Sequence, residues 1–83
     1  MVVVRDILRH ERPAENMWVV IEFGGGRFVA NGFRPDEGHG IFWTPAAFDT
    51  LDEAIAASID WASKNGVPTV YVKGVRGRVG VSP

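Results

Sequence analysis

The alternation of apolar and polar positions is clearest in Met17-Trp18-Val19-Val20-Ile21-Glu22-Phe23. A period of two puts Met17, Val19, Ile21 and Phe23 on one face of a strand and Trp18, Val20 and Glu22 on the other. Glycines at 24, 25 and 26 supply positive-φ positions for a tight reversal, after which Arg27-Phe28-Val29-Ala30 returns as the partner strand. Val2-Val3-Val4, continuing through Ile7 and Leu8, predicts an N-terminal strand from its β-branched residues. A polar turn over 11–16 ends it, because Pro13 has no amide to give to a ladder. Asn31 to Gly40 carries Gly32, Pro35 and Gly38 among charges and reads as a loop. Ile41-Phe42-Trp43 reads as a short strand stopped by Thr44-Pro45.

Thr50-Leu51-Asp52-Glu53 has the spacing of a capping box. Leu51, Ala54, Ile55, Ile59 and Ala62 then recur at helical intervals, with Trp61 at the rim of that stripe. Asp52 and Glu53 suit the positive end of the helix dipole and Lys64 the negative end. Asn65-Gly66, with Pro68 beyond, ends the helix. Val67 to Lys73 predicts a buried strand, and Val79 and Val81 suggest a short return strand among the glycines of the tail. One amphipathic helix cannot bury its stripe alone. The expected fold is a single two-layer α+β domain over 1–83, with an antiparallel or mixed sheet of four to five strands and one helix (about 50–65) on one face.

Four segments in this order carry a resemblance to a known family: Trp18-Val19-Val20, Phe48-Asp49-Thr50-Leu51-Asp52-Glu53-Ala54, Val70-Tyr71-Val72-Lys73-Gly74 and Gly77-Arg78-Val79. They resemble a family of small bacterial proteins with a tryptophan-x-valine strand, a phenylalanine-x-threonine-x-x-glutamate-alanine helix start, a valine-rich strand and a closing glycine-x-valine. The chain departs from that pattern in its Gly32–Gly40 segment and in carrying arginine where the family's last turn has an acidic residue. The resemblance implies a ββαβ-type fold and brings no function with it.

Composition narrows the chemistry. With 46% hydrophobic and 23% charged residues the 83-residue chain is globular in character, and no apolar run approaches the roughly 18 residues of a membrane-spanning helix. There are no cysteines, which excludes disulfides, thiolate metal sites and cysteine nucleophiles. Arg5 and Asp6 interrupt the N-terminal valines before a secretory h-region can form, so a cytoplasmic location is expected. Below roughly 70–80 residues a single core seldom supplies more than about 3–5 kcal/mol. The chain sits just above that size, so its aromatic residues or a second chain must contribute.

The candidate catalytic patterns each have a plainer explanation. The glycines at 24–26 lead into a strand rather than a helix, so they form no phosphate loop. Asp36, Glu37 and His39 share one segment but match no metal-loop spacing, and His10 stands alone; no metal or cofactor is expected. Asp49, Asp52 and Glu53 flank a helix N-terminus, where carboxylates are stabilised as anions, which opposes a general-acid role. None of Ser58, Ser63, Ser82, Thr44, Thr50 or Thr69 lies in a nucleophile elbow.

Charge and aromatics point to binding instead. The formal net charge is -1, but Lys73, Arg76 and Arg78 give +3 to Val67–Pro83, whereas residues 36–60 carry six acids and no lysine or arginine. Lys73, Arg76 and Arg78 are therefore candidate nucleic-acid contacts, together with Gly26-Arg27-Phe28-Val29, which resembles part of an RNP1 strand. Ala30 and Asn31 do not continue that pattern. Trp18, Val20, Phe28 and Trp43 are the candidate interaction surface. One helix covers one sheet face, so aromatic residues on the other must meet a partner or be covered from within, by Ile41-Phe42-Trp43 and Phe48. The expected function is a non-catalytic binding domain, a homodimer or a protein that packs against another chain. Nucleic-acid binding ranks second, catalysis third, and no membrane partner is expected.

Overall fold

The structure, a computed structural model, describes residues 1–74. Its elements are β1 (Val3–Ile7), β2 (Trp18–Gly24), β3 (Arg27–Asp36), β4 (His39–Trp43), α1 (Leu51–Asn65) and β5 (Thr69–Lys73). The strands form one mixed sheet in the order β1-β5-β2-β3-β4. β5 lies parallel between β1 and β2, while β2 to β3 and β3 to β4 are antiparallel. With α1 packed on one face, the chain adopts the two-layer α+β fold expected of it. The suggested strand at Val79 and Val81 and the Gly77-Arg78-Val79 motif lie outside the described residues.

Two connections cross the sheet. β1 reaches β2 through residues 8–17 and passes β5; β4 reaches β5 through α1 and passes β3 and β2. They travel in opposite directions, so crossovers of one hand must lie on opposite faces of the sheet. α1 takes one face, and the 8–17 segment lies against Tyr71 on the other.

The hairpins follow local chemistry. Gly25 (φ 62°) and Gly26 (φ 80°) join β2 to β3, the two positive φ values that a type I′ turn requires. The segment expected to be a loop is instead ordered sheet: β3 runs ten residues to Asp36, turns at Gly38 (φ 75°) and returns as β4, pairing Asp36 with His39. Pro35 is tolerated there because that half of β3 pairs with β4 alone, so its missing amide costs no ladder bond on the other side.

The helix is capped at both ends as its sequence predicts. Thr50 Oγ1 accepts from the Glu53 amide at 3.1 Å, and Glu53 Oε1 accepts from the Thr50 amide at 3.2 Å. Gly66 takes a left-handed φ of 70°, and the Val67 amide donates to the Ala62 carbonyl at 2.9 Å. Ala54, Ser58 and Ala62 form the buried line of α1, facing Val19, Ile21, Ala30, Val70 and Val72. Beside that line Trp61 lies over Gly32, where a Cβ would sit 2.8 Å from the ring. Trp43 stacks on Trp61 with centroids 5.4 Å apart and planes 7° from parallel. The sheet thus gives up a side chain at Gly32 so that an indole can close the core from the helix side.

Ser58 is the misfit in this core. It is 0% exposed, and its hydroxyl has no hydrogen-bond partner among the described residues. A buried unpaired hydroxyl costs about 1–3 kcal/mol of desolvation, and alanine is also the better helix former. Ser58→Ala is expected to raise the unfolding free energy by about 1 kcal/mol, read as a higher denaturant midpoint at unchanged slope. An equal or lower midpoint would mean that the hydroxyl is satisfied.

Candidate functional site

The candidate site is the sheet face away from α1. Strand alternation brings Trp18, Val20 and Glu22 of β2, Val29, Asn31 and Phe33 of β3, Phe42 of β4, and Tyr71 and Lys73 of β5 to this side. Trp18 is opposite Phe33, and Phe33 is opposite Phe42, in the ladder register. Their rings form one row across three strands, with centroids 5.8 Å and 5.0 Å apart. The row fits because the neighbour on β4 is a glycine: a Cβ on Gly40 would collide with the Phe33 ring. It ends at Phe42, which is 69% exposed on the edge strand.

The other half of the face is closed from within the chain. Tyr71, 3% exposed, donates its hydroxyl hydrogen to the Glu15 carboxylate, which pins the 8–17 crossover onto β5. A turn steadies the start of that crossover, with the Glu11 amide on the Leu8 carbonyl at 3.0 Å and the Leu8 amide on the Glu11 carboxylate at 2.6 Å. Between crossover and ring row lies an open groove of about 480 Å³, lined by Arg12, Pro13, Trp18, Val20, Phe42 and Lys73, among others. Lys73 Nζ stands 3.9 Å from the Glu22 carboxylate on the groove wall.

The four candidate surface residues do not share a face. Trp18 and Val20 lie on the open side. Phe28 and Trp43 pack against the core under α1, because Phe28 alternates in phase with Ala30 and Trp43 with Ile41. Nor does the 41–48 segment fold across the open face. β4 extends the sheet, and Phe48 pairs with Phe28 along β3. The residues that join Trp18 in the row, Phe33 and Phe42, were not singled out by sequence. Phe33 falls within the expected loop; continuing the Gly25–Gly26 register past Ala30 sets it opposite Trp18, and the second hairpin then adds Phe42.

Of the nucleic-acid candidates, Lys73 lines the groove; Arg76 and Arg78 lie outside the described residues. His39 Nε2 and Asp36 lie 3.7 Å apart across the second hairpin, and among the described residues no three His, Asp or Glu side chains gather as metal ligands. Asp49 pairs with Arg27 at 3.6 Å and Asp60 with Lys64 at 3.1 Å, both exposed. A smaller cleft of about 240 Å³ beside Met1, Ser63 and Gly66 contains no charged side chain. No helix among the described residues is long and apolar enough to cross a membrane. Compared with protein-family models, curated proteins and solved structures, the chain matches none of them, so its family resemblance rests on the motif residues alone.

Tyr71 is the titratable group that this arrangement shifts. Burial raises its pKa above 10.0, and the hydrogen bond to Glu15 and that carboxylate's charge raise it further, against Arg5 and an Ala14 backbone contact. A phenol held neutral in this way serves as a structural donor rather than a nucleophile. Because the folded state holds the proton more tightly than the unfolded one, this contribution is fully present below about pH 10 and is lost as pH rises through the folded pKa. Tyr71→Phe is expected to cost about 1–3 kcal/mol at neutral pH, since the Glu15 carboxylate loses its donor. It is also expected to flatten the fall in stability above pH 10, measured by urea unfolding at pH 7 and at pH 10.5. An unchanged alkaline slope would show that the pair does not hold the crossover.

Proposed function

We propose that this chain is a non-catalytic interaction domain that self-associates, with the aromatic row of the open face as the apolar centre of the contact. The observation that supports it is the in-register row Trp18–Phe33–Phe42, ending in an edge residue 69% exposed. Monomers seldom leave a contiguous aromatic patch in water, and aromatic residues dominate the centres of interfaces. Arg12 and Lys73 with Glu22 border the row, a sum of +1 per copy, so only a small like charge opposes a second copy beside it. A polyanion calls for several uncompensated cations, and with Lys73 beside Glu22 the groove offers Arg12 alone among its named charges, which leaves nucleic-acid binding second. Catalysis ranks third, since Tyr71 is buried against a half-buried Glu15 with the phenol shifted away from reactivity. The reading requires no cofactor and suits a cytoplasmic protein.

Sedimentation equilibrium tests it. The wild-type chain is expected at about twice its 9.1 kDa mass at micromolar concentration. Phe42→Asp is expected to weaken self-association about 30-fold or more, the scale of a hot-spot residue, with the far-UV spectrum unchanged. A wild-type chain still monomeric at several hundred micromolar would overturn the proposal. Salt-sensitive oligonucleotide binding by that monomer would favour the second reading.

A further inference from the structure

We infer that the second copy adds at the outer edge of β4, antiparallel, so that two five-stranded sheets join into one of ten strands. This rests on the self-association proposed above and places the contact at the Phe42 end of the aromatic row, edge to edge, with the two open faces side by side and not stacked on each other. The two edges of the sheet differ in kind. β1 carries Arg5 and Asp6 in mid-strand, and charge on an edge discourages pairing with another chain. β4, His39-Gly40-Ile41-Phe42-Trp43, has no Asp, Glu, Lys, Arg or Pro. Among the described residues no strand pairs with its outer side. The chain beyond Trp43 runs on along β3, where Phe48 bridges Phe28, and does not turn to cover β4.

Symmetry selects the occupant. A two-fold axis perpendicular to the sheet keeps both open faces on one side, and residues directly opposite each other then share a face. Centred on Phe42, it sets Phe42 against its own copy and Ile41 against the partner's Trp43, with no like charges opposed. The row Trp18–Phe33–Phe42 then continues across the junction as six rings. Centred on Arg5, the middle of β1, or on Asp6, the same operation would oppose that charge to its own copy, and only an axis displaced toward the N-terminal end of β1 avoids it. β4 is therefore self-complementary where β1 is not, and the exposure of Phe42 is the join left open in one copy.

The chain has no cysteine, so Val3→Cys, at a position 49% exposed on the far edge, carries one spin label per copy. In the edge-joined dimer the two β1 strands are nine strand intervals apart, about 43 Å in a flat sheet and somewhat less with twist. Two sheets stacked face to face about 10 Å apart and centred on Phe33 of the row would hold them at about 31 Å or less, depending on the direction of the axis. Pulsed dipolar spectroscopy is expected to give about 35–45 Å, and that signal should vanish in Phe42→Asp, or in Phe42→Lys if the aspartate variant fails to fold. A dimer with a distance below about 33 Å overturns the edge geometry and leaves self-association standing. No dipolar signal, in a chain that sediments as a monomer, overturns both.

Discussion

One helix can dry only one side of a five-stranded sheet, and the rest of the structure answers to that constraint. α1 covers the face that carries Val19, Ile21, Val70 and Val72. The other face has two treatments. Near β5 the crossover from β1 to β2 lies over it, held where the buried Tyr71 hydroxyl donates to Glu15. Over β2, β3 and β4 no second layer arrives from the described residues, and the row there consists of rings that shield one another: Trp18, Phe33 and Phe42. Chain direction decides which half is covered. The crossover has to span β5 to reach β2, and it has no reason to travel further.

The two sheet glycines follow from the same shortage of layers. Gly32 and Gly40 sit on opposite faces, and each lies under a ring, Trp61 over the first and Phe33 over the second. In both cases the missing side chain lets a large ring lie close to the backbone, where a larger residue would hold it off. The aromatic residues thereby do what a second helix would do in a larger domain. They cannot extend past the sheet, however, so Phe42 at its margin keeps only Phe33 as a ring neighbour.

How far the sequence disclosed this depends on whether the deciding interaction is local. The capping box at Thr50 and the stop at Gly66 are local, and the helix lies where they put it. The alternation in 17–23 correctly separated Trp18 and Val20 from the core-facing residues, because period two needs no tertiary information. The span 31–40 failed for the opposite reason. Its glycines and proline signal a loop locally, but their tolerance in β3 and β4 comes from neighbours distant in sequence: Trp61 above Gly32, Phe33 above Gly40, and no second strand beside Pro35. Misplacing that span hid the phase of Phe33, and with it the aromatic row. The phase of Trp43 depends on the same register, whereas that of Phe28, opposite Phe23 across the Gly25–Gly26 turn, follows from the first hairpin alone and places it with the core-facing residues.

The core explains why an open edge matters energetically. Among the described residues no fully buried side chain is larger than Ile21; valines, alanines and the unpaired Ser58 make up the rest. The largest apolar groups, Trp18, Trp43, Trp61 and the phenylalanines, all lie toward the margins and keep contact with solvent. Since hydrophobic stabilisation scales with the area removed from water, much of what this chain has to gain is still exposed when it folds alone. Burying more of it requires a surface from outside the single copy, and any partner that binds only the folded state stabilises it by mass action. Stability and association in such a domain are therefore coupled through the same aromatic residues. The uncharged β4 edge, where Phe42 ends the row, is where that coupling is strongest, because one added strand would there complete a ladder and cover a ring in a single step.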